Sequence, residues 1–222
     1  MTMSELQDLS VVIDLRKRWS YVRDQGDRGA CIACASSDAN MHAHDLDHSL
    51  SAEYLYFQSA QYMPGRDASK GLTFEAAQSA LHDWGQPRED EWPYHATTPN
   101  PWLPPTVTVV WHADLKIKSK RQAPMIVALI KTSTPVILGI RLSTGFWDVQ
   151  GPLYKISPTG PGFGGHAVLA IGLGVDTSGE EFLLIRNSWG DGWGLAGHGW
   201  LPVQYLADKL ISFCTVAPCI KS

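Results

Sequence analysis

The first half of the chain combines small and apolar residues at spacings typical of helices. Residues 30–43 are rich in Ala and Ser and contain neither Pro nor Gly, which favours a helix with Cys31 in its first turn. Further helices are predicted over residues 51–62 and 73–84. In the last of these Thr73 is a suitable N-cap, and one apolar face contains Phe74, Ala77, Leu81 and Trp84. The first half is therefore predicted to be mainly helical.

The second half carries shorter apolar runs that are typical of strands. It follows an irregular connection over residues 95–105, which hold four prolines. One short helix is predicted over residues 123–131, and strands over residues 107–111, 136–140, 167–172 and 181–186. Helices first and strands afterwards indicate an α+β fold rather than alternating βαβ units. We expect a single domain over residues 1–222, with a helical lobe of about residues 14–104 and a β-rich lobe of about residues 105–222.

Composition and charge exclude some classes of partner. The chain has 222 residues, 44% of them hydrophobic, and its net charge of −4 offers no electrostatic basis for binding nucleic acid or an anionic membrane. No apolar stretch approaches the roughly 18–20 residues that span a bilayer. The N-terminal residues lack the apolar core of a signal peptide, so we expect a cytoplasmic protein, with a trimmed or secreted precursor as the alternative.

The four cysteines are too few for a disulfide scaffold in a chain of this length. Cys31 and Cys34 have the spacing of a redox pair or of half a zinc site. A zinc site would need a second such pair, but Cys214 and Cys219 are five residues apart. We therefore expect Cys34 to be a buried residue of the first helix. The sequence leaves open whether Cys214 and Cys219 form a disulfide bridge.

A second group of potential metal ligands lies near the end of the first predicted helix. It comprises His42, His44, Asp45, Asp47 and His48. No matching cluster of ligands occurs elsewhere in the sequence, so these residues are interpreted as the polar end of the helix and the turn after it. We expect neither a metal ion nor a cofactor.

Three short segments together carry the residue types needed for nucleophilic acyl transfer. Cys31 follows a glycine-containing turn, at a position where the positive end of the peptide dipoles favours the thiolate. His166 follows two glycines that leave room for a substrate backbone, and an apolar strand comes directly after it. Asn187, 21 residues further along, has a side-chain oxygen able to hold the imidazole in one orientation. Gln25 and the backbone N–H of Cys31 are the candidate donors to an oxyanion.

These motifs, in this order, resemble the papain-like cysteine peptidases. The resemblance rests on residues 22–26, 50–55 and 89–94, and most specifically on the Asn-Ser-Trp-Gly-Asp-Gly-Trp-Gly sequence of residues 187–194. It implies a two-lobed fold, with a helical N-terminal lobe, an antiparallel β-barrel-like C-terminal lobe and an active-site cleft between them. It also implies a thiol protease that hydrolyses peptide bonds through an acyl-enzyme thioester, acting as a monomer on peptide or protein substrates.

The resemblance implies a role for each of the four candidate catalytic residues. Cys31 is implied as the nucleophile and His166 as the general base and acid. Asn187 is implied to orient the imidazole, and Gln25 to donate a hydrogen bond to the oxyanion.

The resemblance extends to the substrate-binding surface. The residues that it implies there are Gly71, Leu72, Gly165, Ala167, Trp189 and Trp193. Gly71 matches a glycine whose backbone pairs with the substrate strand. Leu72 and Ala167 match the walls of an apolar pocket for the residue two before the scissile bond. Trp189 is implied to shield the Asn–His hydrogen bond from water, and Trp193 to line the leaving-group side.

The sequence departs from the family pattern at three points. Arg28 stands where a disulfide-forming cysteine is usual, and no cysteine lies near Lys70 to complete such a bridge. Ile32 replaces the aromatic residue expected after the nucleophile. Only 13 residues precede Asp14, which lies near the family's mature start, so we expect either a mature fragment or an enzyme that folds without the usual inhibitory prosegment. These departures favour a bacterial-type member of the family that works in a reducing compartment.

Two other functions stay open at this point. A transpeptidase or a hydrolase of non-protein amides would use the same catalytic residues on the same scaffold. A non-catalytic binding module would keep the fold without the reaction, although all four catalytic positions are filled.

Overall fold

The computed structural model describes residues 9–118, 122–147, 149 and 153–219. The helices in this part of the chain are α1 (Cys31–Ala43), α2 (Ala52–Ala60), α3 (Phe74–Asp83), α4 (Ala123–Lys131) and α5 (Tyr205–Lys209). The strands are β1 (Leu9–Asp14), β2 (Ala113–Lys118), β3 (Val136–Leu142), β4 (Phe163–Asp176), β5 (Glu181–Arg186), β6 (His198–Pro202) and β7 (Leu210–Pro218). Short 3-10 turns occur at Arg16–Arg18, Pro64–Arg66 and Thr144–Phe146. Helices combined with antiparallel strands form the predicted α+β fold.

The chain divides into two compact units. The first unit contains residues 9–23 and the described residues from 118 to 213, and the second contains residues 24–117 and 214–219. The sequence predicts a boundary between the two lobes near residue 104. In the structure residues 105–117 belong to the unit that contains α1, α2 and α3, whereas residues 9–23 belong to the unit that contains most of the strands.

The first unit is built on an antiparallel sheet with β4 at its centre. β3, β5 and β1 pair with β4, and β6 pairs with β5. Five of the six residues of β5 are buried, so both faces of this strand are covered. Helix α4 contributes Ile126, Val127 and Ile130 to the same core, and its proline lies in the first turn, where the missing N–H costs no helical hydrogen bond.

The second unit contains the three helices predicted in the first half of the chain, and the structure confirms them. The side chain of Ser51 accepts a hydrogen bond from the Tyr54 N–H at 3.0 Å and so caps α2. Thr73 caps α3 through the Ala76 N–H at 3.1 Å. Helix α1 is buried over residues 32–41, most of which are small, so neighbouring helices can approach it closely.

One member of the predicted apolar face of α3 is misplaced. Trp84 is 48% exposed because it follows the last residue of the helix as its C-cap. Ala77 and Leu81, one and two turns into the helix, are fully buried as expected.

The predicted strand over residues 107–111 is wrong. Trp111 donates to the Gln86 carbonyl at 2.8 Å and accepts from the Gln86 N–H at 3.1 Å. These two hydrogen bonds join Trp111 to one residue and do not continue as the pairing of a β-strand. The regular strand β2 begins only at Ala113. The strands predicted over residues 136–140, 167–172 and 181–186 lie within β3, β4 and β5, and the helix predicted over residues 123–131 is α4.

Within the part of the chain that the structure describes, no helix has the length and apolar character needed to cross a bilayer.

Candidate active site

Cys31 is the first residue of α1, in the second unit. Its thiol-bearing side chain is half-buried, and Ala30 before it is the N-cap residue without a side-chain cap. The unpaired N–H groups of a first helical turn carry partial positive charge, so this position favours a thiolate over a thiol. The buried body of the helix behind Cys31 holds its backbone in place.

Gln25 lies in the turn that precedes α1 and is buried. Its side-chain Nε2 donates to the Arg28 carbonyl at 2.8 Å. Its own carbonyl accepts from the Tyr94 hydroxyl at 2.9 Å. The first contact orients the side-chain amide, and the second fixes the backbone of the turn that carries it.

Arg28 anchors the same turn from its other side. Its guanidinium forms a two-pronged ion pair with Glu53 of α2, with Nη1–Oε2 at 2.6 Å and Nη2–Oε1 at 2.9 Å. The Nη1 atom also donates to the His95 carbonyl at 2.6 Å. The guanidinium packs on the rings of Tyr56, Tyr94 and Trp102, at 4.7–5.3 Å from their centroids.

Glu53 is satisfied by further donors. In addition to Arg28, its carboxylate accepts from the His95 N–H at 3.1 Å and from Trp102 Nε1 at 2.7 Å. A buried charge is tolerated when it is paired and its remaining lone pairs are hydrogen-bonded, and both conditions hold here.

His166 and Asn187 meet in the first unit because of strand pairing. His166 lies on β4, and Asn187 directly follows β5. The two strands are antiparallel neighbours with Leu169 opposite Arg186, which brings the two side chains to the same end of the ladder. His166 Nε2 and Asn187 Oδ1 are 2.7 Å apart. Asn187 Oδ1 also accepts from the Ser188 N–H at 2.9 Å, so the amide is held on two sides.

This hydrogen bond determines the state of the imidazole. An amide oxygen can only accept, so Nε2 carries the hydrogen and Nδ1 keeps its lone pair. Burial lowers the pKa of His166 to about 4, and the hydrogen bond to Asn187 opposes this shift. At neutral pH the imidazole is therefore uncharged, and Nδ1 is able to take up a proton.

Four aromatic side chains form a cluster beside His166: Phe146, Trp147, Trp189 and Trp193. The Trp189 ring centroid is 4.8 Å from that of His166, and the Phe146 ring contacts the imidazole edge-on at 5.9 Å. Trp147 stacks on Trp189 at 4.8 Å. Trp193 stacks on Phe146 at 5.1 Å and donates from Nε1 to the Phe146 carbonyl at 3.0 Å. The rings of Trp189 and Phe146 therefore give the His166 imidazole apolar neighbours.

The sequence analysis included Trp189 and Trp193 but missed Phe146 and Trp147. Phe146 ends the 3-10 turn after β3, and Trp147 follows it. The local signal for them is a pair of adjacent aromatic residues in the short connection after β3. Phe146 is fully buried, and Trp147 is exposed on its outer side.

The glycine and apolar residues expected at the substrate-binding surface fall into both units. In the second unit Gly71 has φ +100°, a conformation that favours glycine, and Leu72 is half-buried. In the first unit Gly165 is exposed, with Ile211 Cδ1 at 3.7 Å from a Cβ built there, whereas Ala167 is buried.

All four cysteines are free thiols. The bridge between Cys214 and Cys219 that the sequence left open is therefore absent from this structure. Cys34 is buried, one turn along α1 from Cys31, as expected for a residue of the helix core.

The sequence profile of the papain family cysteine proteases matches residues 9–216. The chain belongs to this family. The match contains α1, which begins at Cys31, as well as His166 on β4 and Asn187 directly after β5. The family resemblance drawn from the sequence motifs is thereby confirmed.

Full-length relatives in the papain family are longer than this chain. Pro-cathepsin H of Bos taurus is 23% identical over 215 residues, a stretch that covers 93% of this chain and 62% of that protein. The oryzain gamma chain of Oryza sativa subsp. japonica is 28% identical over 209 residues, covering 90% of this chain and 55% of that protein. The chain thus spans about 62% or less of these two relatives.

Solved structures of papain family proteases share the fold. Xylellain, a cysteine protease from Xylella fastidiosa, superposes with a TM-score of 0.73 at 20% identity, over 99% of this chain and 90% of that chain. Digestive procathepsin L 3 of the Tenebrio molitor larval midgut gives a TM-score of 0.72 at 23% identity, over 94% of this chain and 69% of that chain. These superpositions confirm the predicted papain-like α+β fold.

Proposed function

We propose that this chain is a cysteine peptidase that hydrolyses peptide bonds through an acyl-enzyme thioester. Cys31 is the nucleophile, His166 the general base and acid, Asn187 the residue that orients the imidazole, and Gln25 an oxyanion donor. The observation that carries the proposal is the 2.7 Å hydrogen bond between His166 Nε2 and Asn187 Oδ1. It leaves Nδ1 as the basic nitrogen in a chain of the papain family.

The first half of the reaction forms the thioester. His166 Nδ1 takes the proton of the Cys31 thiol, and the sulfur attacks the carbonyl carbon of the scissile bond. The negative charge that develops on the carbonyl oxygen is stabilised by the Gln25 amide and by the backbone N–H of Cys31. The tetrahedral intermediate collapses when the imidazolium gives its proton to the leaving amine, which departs and leaves the acyl group on sulfur.

The second half of the reaction releases the acid product. A water molecule loses a proton to His166 Nδ1 and attacks the thioester carbonyl. The same two donors stabilise the second oxyanion, and the proton returns to the Cys31 sulfur as the carboxylic acid leaves. Trp189 and Phe146, which contact the imidazole, keep water from competing for its hydrogen bond with Asn187.

The substrate class follows from the same residues. A peptide in extended conformation is proposed to pair with the backbone of Gly71, where no side chain obstructs its approach. The resemblance to the papain-like family, which matches Leu72 and Ala167 to the walls of an apolar pocket, supports a preference for an apolar side chain two residues before the scissile bond. Trp193 and the exposed Gly165 are proposed to border the leaving-group side and the substrate backbone. The enzyme is proposed to act as a monomer in a reducing compartment, in keeping with its four free thiols.

A labelling and turnover experiment tests the assignment of the nucleophile. Cys31→Ala should abolish cleavage of a fluorogenic peptide and the covalent labelling by a peptidyl epoxide. Cys219→Ser is the matched control because Cys219 is also a half-buried free thiol. This variant should keep both activities. Cleavage that persists in Cys31→Ala, or wild-type protein that neither cleaves a diverse peptide library nor reacts with the epoxide, would contradict the proposal.

A further inference from the structure

Three metal-ligand side chains that the proposed peptidase reaction does not use converge in the second unit. They are His82 in the last turn of α3, Asp114 on β2 and Cys219 directly after β7. One ligand atom of each lies within 4.8 Å of the other two. His82 Nδ1 is 2.9 Å from Asp114 Oδ1 and 3.9 Å from Cys219 Sγ.

These separations lie within about half an ångström of those between the ligands of a tetrahedral zinc ion. Zinc binds sulfur at about 2.3 Å, imidazole nitrogen at about 2.0–2.1 Å and carboxylate oxygen at about 2.0–2.2 Å. Ligands at these bond lengths and at tetrahedral angles are about 3.4–3.6 Å apart. One observed separation, 2.9 Å, is shorter than this range and the other, 3.9 Å, is longer. Side-chain rotations that move the ligand atoms by a few tenths of an ångström therefore bring them to tetrahedral positions.

The backbone around the cluster holds two of the three ligands. The Cys219 N–H donates to the His112 carbonyl at 3.1 Å, which fixes the end of β7 beside the start of β2. The His112 ring in turn contacts the His82 carbonyl through Nδ1 at 3.0 Å. Contacts of this kind, one layer outside the ligands, orient the groups that bind a metal.

The charges at the cluster also suit a divalent cation. Asp114 is an acidic residue whose carboxylate contacts both Lys116 and His82. Lys116 contacts the second oxygen, Oδ2, at 2.9 Å and leaves Oδ1 directed at His82. A carboxylate and a thiolate together balance the two positive charges of the ion.

We propose that His82, Asp114 and Cys219 bind one Zn²⁺ ion, with water as the fourth ligand. Binding releases the Cys219 thiol proton to solvent. His82 binds through Nδ1 after its ring hydrogen moves to the exposed Nε2. The ion joins the end of α3 to the strands β2 and β7, so it stabilises the folded second unit. The sequence analysis missed this site because its three ligands are separated by 32 and 105 residues.

Equilibrium dialysis against zinc chloride tests this site, and cobalt(II) provides a spectroscopic check. The measurements use the full chain carrying Cys31→Ala, since the thiol of Cys31 is itself a potential ligand. We expect one zinc per chain, a higher unfolding temperature with zinc, and a thiolate-to-cobalt charge-transfer band. Cys219→Ser should remove the band, and Asp114→Asn should weaken zinc binding by about tenfold or more.

A matched control comes from the pair formed by Asp47 and His48. Asp47 Oδ1 contacts His48 Nδ1 at 2.9 Å, the same distance as between Asp114 and His82. Asp47→Asn should leave zinc binding unchanged. Failure of the Cys31→Ala chain to bind zinc at micromolar concentration, or binding that survives Cys219→Ser, would overturn the zinc proposal. Either result leaves the proposed peptidase activity untouched, because the two tests use different cysteines.

Discussion

Arg28 and Glu53 form a buried ion pair at 2.6 Å, with side chains that are only 6% and 0% exposed. The pair joins the turn that carries Gln25 to the helix α2. Arg28 stands at a position where, by the resemblance drawn from the sequence, the papain-like family usually has a disulfide-forming cysteine. Its backbone carbonyl accepts the Gln25 amide and its side chain anchors the turn, so one residue links the protein interior to a proposed oxyanion donor.

Replacing Arg28 by Met should destabilise the protein strongly. The carboxylate of Glu53 would stay buried without its counter-charge, which typically costs about 3–5 kcal/mol. Arg88→Met is the matched control, because Arg88 pairs with Asp90 in the same two-pronged manner but on the surface, with side chains 46% and 66% exposed. It should change the free energy of unfolding by less than about 1 kcal/mol. Urea unfolding of both variants checks this, and equal losses would contradict it.

Replacing Gln25 by Ala should lower kcat by about 10²–10³, with little change in KM. The amide is proposed to stabilise charge that exists only in the transition state, so its loss does not weaken ground-state binding. Gln61→Ala is a suitable control, since Gln61 Nε2 also donates to a backbone carbonyl, that of Phe57 at 3.3 Å. Steady-state kinetics on a peptide substrate would contradict the role if kcat were unchanged in Gln25→Ala.

Replacing Asn187 by Asp should shift the pH profile of kcat/KM. The carboxylate keeps an acceptor for His166 Nε2, but its negative charge favours the imidazolium and raises the pKa of His166 from about 4. Asn187→Ala instead frees the ring and should lower kcat by about 10²-fold without a comparable change in KM. A pH profile that is the same in Asn187→Asp and in the wild type would show that this hydrogen bond does not set the imidazole's state.

The free energy of unfolding should fall as the pH drops from about 6.5 to about 4. Burial lowers the pKa of His166 to about 4, and burial together with the charge of Arg186 lowers that of His198 to about 4. In the unfolded chain both return to about 6.5, so the unfolded state binds more protons in this window. Stability is therefore complete above pH 6.5 and is lost progressively below it.

Urea unfolding at several pH values measures this dependence. His198→Gln removes one of the two groups and should reduce the slope by up to about 1.4 kcal/mol per pH unit. A flat profile between pH 6.5 and 4 in the wild-type protein would contradict the assignment of both histidines.

The sequence predicted the parts of the fold that depend on local pattern. The cap Thr73 is visible in the sequence because capping needs a side chain only three residues from its partner. The proximity of His166 to Asn187 was inferred from a motif, and the antiparallel pairing of β4 and β5 supplies its physical basis.

The features that the sequence did not predict depend on contacts between distant segments. Arg28 meets Glu53 across 25 positions, and Trp111 meets Gln86 across another 25. Neither pair can be recognised from a periodic pattern in the sequence. The residues that surround a single charged or apolar residue are the same whether or not it has a distant partner. The strand over residues 107–111 was wrongly predicted for the same reason. An apolar run does not show whether another strand is available to pair with it.

The backbone at Gly29 limits how this protein can be redesigned. A Cβ atom at Gly29 would lie 2.6 Å from the backbone N and Cα of Gly71, so even a methyl group would push the two segments apart. A new loop grafted around residue 71 to alter selectivity will thus be accommodated only if residue 29 remains glycine. Saturation mutagenesis of Gly29 should accordingly yield active clones only with glycine at this position.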